Sequence, residues 1–307
     1  MALAQTMAPP RRNARWLGLA LEPWLYVAPS IILIATIMLV PLAIGISYAF
    51  RDIQILDPSS GDYVGFDHFY DLWTDDNFWN ALSNTIWWTV ISVLLQFALG
   101  LILALLLNKP FPGRSVVQAL VFLPWAVPSF LSGLNWAWMF NPVVGPLPHW
   151  LTAMRLMSAP ENLLSDAQHA LWGPIVANVW WGIPFFAITL LAALQSIPAE
   201  IYEAAAIDGA GPWARFRSIT LPYLAPTILI TLMLRTVWIA NFADLIVVMT
   251  KGGPADSTQI LASYIFTQAF QRLDFGYASA VATALLALLL VYAVMLMWLR
   301  RLLIRHY

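Results

Sequence analysis

Six long stretches of the chain carry no charged residue, and they set its architecture. They cover 23–50, 77–108, 115–154, 167–199, 218–234 and 275–299. A membrane-spanning helix needs about 20 predominantly apolar residues. Most of the six stretches exceed that length, so the pattern predicts an all-α integral membrane protein with six transmembrane helices.

Two of these stretches depart from the simple pattern. The fifth is short because Arg235 interrupts it, and the apolar pattern resumes over 236–243. The third is too long for one helix, and three prolines and a glycine follow Phe140 closely. Since these residues break helices, we predict a span near 117–140 followed by an outer loop.

The amino-acid composition supports a membrane protein and argues against other classes. Hydrophobic residues make up 61% of the chain and charged residues 10%, with a mean hydropathy of +0.73. A soluble domain would need more charge. The net charge of −1 argues against a nucleic-acid partner. The chain has no cysteine and its four histidines show no metal-ligand spacing, so we expect neither a disulfide nor a metal site.

The chain divides into a short basic segment and one membrane domain. Residues 1–22 are polar and basic, and we predict a cytoplasmic N-terminus there. The apolar run that follows is longer than the core of a signal peptide, so it is interpreted as a retained first span. We predict a single six-span domain over 23–307.

The lysines and arginines predict the orientation of the spans. Ten of the fifteen basic residues flank the spans on one side, at 11–15, 109–114, 215–217 and 300–305. The opposite flanks hold Arg51, Arg155, Lys251 and Arg272. Because cytoplasmic loops are enriched in lysine and arginine, both termini are predicted to be cytoplasmic.

The loop over about 198–222 lies on the predicted cytoplasmic side and has a pronounced pattern. Pro198 and two following glutamates suit the start of a helix, and Ala204–Ala206 continue it. Gly209 and Gly211 then break the helix, and Pro212 can open a second one. We therefore predict two short amphipathic helices at an angle. The leading carboxylates fit a protein partner better than the anionic inner leaflet.

The sequence carries no chemistry that would power transport or catalysis. A phosphate-binding loop needs a lysine followed by serine or threonine. The only lysines, Lys109 and Lys251, are followed by proline and glycine. Catalytic motifs such as HExxH and GxSxG are also missing. We therefore expect no enzyme activity and no cofactor in this chain.

The loop resembles the EAA loop of ABC importer permeases. The matching residues are Glu203, Ala204, Ala205, Ala206, Ile207, Asp208, Gly209 and Ala210, followed by Phe216, Ile219, Leu221, Pro222 and Pro226. Other segments resemble the carbohydrate-uptake branch, including 63–69, 136–142 and 250–254. The resemblance covers nearly the whole chain beyond the basic N-terminus.

The resemblance implies a bacterial or archaeal inner-membrane permease that works with several partners. These are a second homologous permease forming a heterodimer, two ATPase subunits that bind ATP and Mg, an extracytoplasmic solute-binding protein, and the surrounding lipid. It also implies that the coupling residues are Glu203, Ala204, Ala205, Asp208 and Gly209. Glu203 would pair with a basic residue in a cleft of the ATPase, and Gly209 would supply the bend.

Polar groups at membrane depth are the candidates for the substrate path. They are Asn178, Trp181, Arg235, Trp238, Asn241 and Asp244, with Gln96 and Asn135 as further polar candidates. Arg235 and Asp244 would point to opposite faces of a regular helix, so Arg235 needs a partner in another span, in the second permease or in the substrate. Tryptophans also anchor span ends and amides also join helices, so structural roles stay open for this set. The other permease subunit could also hold the substrate.

Three functions are compatible with these patterns. The first is the transmembrane subunit of an ATP-driven importer for a saccharide, polyol, glycoside or glycerol-phosphate solute. The second is a stand-alone ion-coupled carrier or channel that uses Arg235 and Asp244, although such carriers usually have more spans and inverted repeats. The third is a membrane scaffold that recruits a cytoplasmic partner through the loop.

Overall fold

A computed structural model describes residues 15–57 and 59–304 of the chain, with side chains over 24–57 and 59–298. Most of the predicted basic segment, residues 1–14, therefore lies outside the described residues. The chain divides into two compact units, with the boundary in the sequence after Tyr48. Within these ranges the structure is helical, with two isolated β-bridges and no strand.

The first unit is one apolar helical run. Helix α1 spans Arg15–Ile34, a π-helical turn spans Ala35–Leu39, and α2 spans Val40–Tyr48. The stretch Trp24–Tyr48 is long and apolar enough to cross a membrane. It matches the predicted first span.

The second unit contains the remaining helices. They are α3 (Asp67–Thr74), α4 (Asp76–Leu107), α5 (Arg114–Ala126), α6 (Ser129–Met139), α7 (Pro146–Ala153), α8 (Trp172–Gln195), α9 (Ala199–Ile207), α10 (Pro212–Arg215), α11 (Leu221–Ala240), α12 (Asp244–Met249), α13 (Leu261–Phe266) and α14 (Phe275–Ile304). Two π-helical segments, Phe216–Thr220 and Thr267–Gln271, precede α11 and follow α13. Among the described residues, five helices can span a membrane, and α5 with α6 gives a sixth if the pair counts as one span.

The predicted span near 117–140 is a bent pair of helices, because the chain turns by 94° between α5 and α6. Val127 is extended, with φ −82° and ψ 126°, and Pro128 follows it. A proline disfavours helical geometry in the residue before it, which explains the bend. The indole of Trp181 donates to the carbonyl of Val127 at 3.0 Å, so the bent backbone has a partner inside the protein.

Helices α4 and α8 pack along most of their lengths and form the centre of the second unit. A Cβ on Gly100 of α4 would collide with Phe186 of α8, so this glycine permits the close approach. Pro184 does not interrupt α8, which continues through it to Gln195.

The fifth apolar stretch is not one helix through Asp244. Helix α11 ends at Ala240, and α12 begins at Asp244 after a break of three residues. The prediction that placed Arg235 and Asp244 along one regular helix is therefore wrong. Asn241 forms the C-cap of α11 instead.

Candidate functional sites: an exposed loop and a buried arginine

The predicted loop forms a short helix that ends in a tight turn. Pro198 is the residue before α9, and its ψ of 132° fixes the direction in which the helix starts. At the other end, Gly209 has φ +78°. The amide of Ala210 donates to the carbonyl of Ala205 at 2.8 Å. This left-handed glycine after the last turn is a common way to end a helix.

Only one of the two loop glycines requires the absence of a side chain. Gly209 lies in the left-handed region, where a side chain is strained. Gly211 has φ −68° and ψ 169°, which other residues adopt readily. The prediction of a bend at these glycines therefore rests on Gly209.

The second helix of the loop is not a separate element. Helix α10 covers Pro212–Arg215 and continues through the π-helical segment into α11. The hydroxyls of Tyr202 and Thr220 form a hydrogen bond of 2.9 Å. This bond joins α9 to the start of the α11 span, so a displacement of α9 acts on a membrane helix.

The outer surface of α9 is available to a partner. Glu203, Ala204, Asp208 and Gly209 are exposed, and Ala205 is half-buried. In the described part of the chain, Glu203 forms no ion pair. Ile207 next to them is 87% exposed, which adds an apolar contact to the carboxylates.

The second site is a cluster around Arg235, which is only 1% exposed. Its Nε donates to Oε1 of Gln96 at 2.7 Å. Nε2 of Gln96 then donates to the backbone carbonyl of Asn178 at 2.9 Å. The hydrogen-bond partner of Arg235 is thus a neutral amide on another span, as one of the predicted alternatives. The two hydrogen bonds of Gln96 connect α4 to α11 and to α8.

Three aromatic rings surround the guanidinium. Its central carbon lies 5.1 Å from the ring centre of Trp238, 5.4 Å from Trp181 and 5.5 Å from Phe185. At these distances the faces of the rings attract a cation. Trp181 also stacks on Phe242 at 5.2 Å, with an angle of 15° between the rings. Within the described part of the chain no carboxylate pairs with Arg235, so the rings stabilise the cation instead.

Several polar atoms of the cluster have no hydrogen-bond partner within the described ranges. These are both terminal nitrogens of Arg235 and both side-chain atoms of Asn178. Gly182 lies against them, since a Cβ there would overlap the side chains of Gln96 and Arg235. Unpaired polar atoms inside an apolar span make this cluster a candidate functional site.

The structure brings together four of the six predicted substrate-path residues. Asn178, Trp181, Arg235 and Trp238 form the cluster around the guanidinium. Asn241 is exposed and donates to the carbonyl of Val237, one turn back along its own helix.

Asp244 also lies outside the cluster, since it accepts a hydrogen bond of 2.5 Å from the hydroxyl of Ser129 on α6. Sequence reasoning gave Gln96 too little weight and missed Phe185 and Gly182. A lone glutamine in the middle of an apolar helix was the available signal for Gln96.

Comparison with known proteins identifies the family. Residues 96–307 match the model of the binding-protein-dependent transport system inner membrane component. The trehalose/maltose transport system permease protein MalF of Thermococcus litoralis is 36% identical, covering 80% of this chain and 81% of that protein. The sulfoquinovosyl glycerol transport system permease protein SmoG of Agrobacterium fabrum is 35% identical, covering 90% of each chain. The chain therefore belongs to this family of inner-membrane permease components.

Solved structures agree with this assignment. A chain of a bacterial ABC transporter involved in the import of the acidic polysaccharide alginate has a TM-score of 0.78 and 26% identity. The match covers 93% of this chain and 98% of that chain. The same transporter type has been solved in complex with an alginate pentasaccharide-bound periplasmic protein. The resemblance to importer permeases is confirmed, and the chain is a transport component.

Proposed function

We propose that this chain is the transmembrane subunit of an ATP-driven importer that moves a sugar or sugar-like solute inward by alternating access. Relatives named for trehalose/maltose and for sulfoquinovosyl glycerol transport support the class of solute. The structural match to an alginate importer supports it further. Polyols, glycosides and glycerol phosphates belong to the same proposed range.

The observation that carries the coupling proposal is the connection between α9 and α11. Helix α9 presents exposed Glu203, Ala204 and Asp208, and Tyr202 on the same helix is hydrogen-bonded to Thr220 at 2.9 Å. A partner that grips α9 therefore pulls on the span that carries Arg235. In this proposal Glu203 pairs with a basic residue of the ATPase, and Ala204 and Ala205 allow close approach.

The proposed assembly contains this chain, a second homologous permease, two ATPase subunits and an extracytoplasmic solute-binding protein. ATP and Mg bind to the ATPase subunits. The lysine and arginine distribution supports cytoplasmic termini and a cytoplasmic α9. The periplasmic protein in the related alginate complex supports solute delivery from the opposite side.

The proposed substrate path passes the Arg235 cluster. Trp238 is 42% exposed, and its ring centre lies 5.1 Å from the guanidinium carbon of Arg235. Indole rings can stack on the apolar faces of a sugar. The unpaired atoms of Asn178 and Arg235 are buried here, so in this proposal they bond the hydroxyls of the solute once alternating access opens the cluster. Trp181 holds this arrangement by its bond to Val127. Asn241 and Asp244 are placed outside this contact set.

The test uses the complete transporter in proteoliposomes with its binding protein. Wild-type protein should take up labelled solute only with ATP inside the vesicles, and the ATPase should be stimulated by loaded binding protein. Glu203→Ala should abolish both effects while the chain still inserts and assembles with the second permease. Glu200→Ala, one turn earlier on α9, is the matched control and should retain uptake.

Three outcomes would contradict the proposal. Normal ATP-coupled uptake by Glu203→Ala would remove the role assigned to α9. Uptake by this chain alone, driven by an ion gradient and independent of ATP, would favour the carrier that uses Arg235 and Asp244. Purification without any associated ATPase or second permease would favour the scaffold.

A further inference from the structure

A polar cavity of about 400 Å³ lies away from both sites already described. It lies where the junction of α3 and α4 meets the segment between α13 and α14. Asp71, Asp75, Gln268, Arg272 and Asp274 all line it. The proposed topology places this cavity on the extracytoplasmic face.

One wall of the cavity is a fixed hydrogen-bond network. The hydroxyls of Tyr264 and Tyr277 each donate to Oδ2 of Asp75 at 2.5 Å. Oδ1 of Asp75 accepts from the amide of Asn77 at 2.9 Å. Burial raises the pKa of Asp75, but these hydrogen bonds outweigh burial and the pKa lies below its ordinary value. Asp75 is therefore ionised at neutral pH and fixes both tyrosines.

The other groups around the cavity have unused hydrogen-bonding capacity. Gln268 is 2% exposed, and its Nε2 lies near the hydroxyl of Tyr264 without a hydrogen bond of regular geometry among the described residues. Arg272 and Asp71 are exposed and line the same cavity. In the part of the chain that the structure describes, neither takes part in an ion pair within 4.0 Å. Asp75 and Asp274 accept hydrogen bonds from the protein itself. The amide of Gln268 and the opposite charges of Asp71 and Arg272 therefore face one space, and no ion pair joins the two charges in the described residues.

This mixture of groups selects one class of ligand. A lone cation would be attracted by the carboxylates but repelled by Arg272. A small anion would be attracted by Arg272 but repelled by the carboxylates. A neutral ligand with many hydroxyls both donates and accepts, so it can bond Gln268, Arg272 and the carboxylates together. The volume of about 400 Å³ falls within the range of small-molecule sites.

We propose that this cavity is a second saccharide-binding subsite, distinct from the Arg235 cluster, which holds a neutral hydroxyl-rich unit of the solute at the outer face. The proposal rests on the proposed sugar-importer function. Asp71, Gln268 and Arg272 bond the hydroxyls of the solute, while Asp75 and its two tyrosines form a rigid wall. The subsite holds solute after its release from the binding protein.

The test is saturation-transfer NMR on the complete transporter in lipid nanodiscs, without binding protein. The probes are trehalose, maltose and sorbitol, with CaCl₂ as a separate probe of thermal stability. At least one sugar should show saturation transfer with the wild-type complex. Asp71→Asn and Arg272→Gln, both at exposed positions, should weaken its binding by about tenfold. Gln268→Leu should do the same if the variant assembles.

Further variants test whether the sugar signal comes from the cavity, from its surroundings or from the substrate path. Asp76→Asn and Arg155→Gln change exposed charges outside the cavity lining and should leave the signal unchanged. Trp238→Ala removes the proposed contact in the substrate path, so a signal that falls in this variant but not in the cavity variants would assign the sugar to the Arg235 cluster.

Three results would overturn the subsite. They are the absence of any sugar signal, a signal that the cavity variants do not change, and stabilisation by Ca²⁺ without sugar binding. ATP-driven uptake is measured in the same preparations with binding protein added. Failure of ATP-driven uptake by the wild type would contradict the proposed function. Intact uptake together with one of the three results would contradict only the proposed subsite.

Discussion

The α9 loop and the Arg235 cluster place charge in opposite environments. Glu203 and Asp208 are exposed at the surface and contribute little to internal packing. Arg235 is 1% exposed and is held by one amide and three rings. A charge in water costs little, whereas a buried charge destabilises the fold unless its surroundings compensate. Changes in the loop should therefore affect transport, and changes in the cluster should affect stability first.

The largest expected effect is at Gly209, where a substitution should reduce transport without reducing the thermal stability of the protein. Gly209→Val should abolish ATP-driven uptake, because a β-branched residue at φ +78° distorts the turn that presents α9. The thermal stability of the spans in detergent should stay close to that of the wild type. Gly211→Val is the matched control, and its φ of −68° predicts uptake near the wild-type level. Equal loss in both variants would contradict the assigned role of Gly209.

The next largest expected effect is the loss of stability when Gln96, the hydrogen-bond partner of Arg235, is replaced. Gln96→Leu should destabilise the protein by about 3 kcal/mol, because it leaves the guanidinium with only the aromatic rings. Arg235→Met removes the charge itself and should cost less. The double variant should resemble Arg235→Met alone, as measured by urea unfolding of the purified protein in detergent micelles. Additive losses would show that the two residues act independently.

Gly182→Ala tests how tightly the cluster is packed. A Cβ at this position would overlap the side chains of Gln96 and Arg235, so we expect a loss of about 1–3 kcal/mol. Gly211→Ala, with open space around it, should change stability very little. Thermal unfolding followed by circular dichroism measures both variants. A neutral Gly182→Ala would mean that the cluster can rearrange freely.

Asp75 provides an intermediate case of a partly buried carboxylate with several donors. Asp75→Asn should cost about 1 kcal/mol, because the amide is a weaker acceptor for Tyr264 and Tyr277. Asp76→Asn, one residue away and exposed, should be neutral.

The pH dependence of Asp75 follows from its lowered pKa. The contribution of this group is present above the ordinary pKa of 3.8 and is lost as pH falls through the lower pKa of the folded state. Thermal stability of the wild type relative to Asp75→Asn should therefore stay constant near neutral pH and converge only below about pH 4. Convergence near neutral pH would contradict the assigned hydrogen bonds.

The sequence predicted the approximate positions of the helical spans, because span length is a local property. The second predicted stretch, 77–108, differs from α4 by one residue at each end. The helix–turn character of the α9 loop also followed from local features, namely proline, alanine and glycine at set positions. The prediction of a separate second helix in this loop was wrong. Helix α10 continues into the next span through a π-helical segment, which local propensity does not reveal.

By itself, the sequence determined the class of protein, the spans and the exposed loop, since these depend on hydrophobic length and backbone propensity. The tertiary structure alone decided which polar groups meet. Gln96 and Arg235 are 139 positions apart, and Trp181 reaches the bend at Val127 across 54 positions. Helical periodicity gives the face on which a residue lies, but only the packing of α4, α8 and α11 determines what that face contacts.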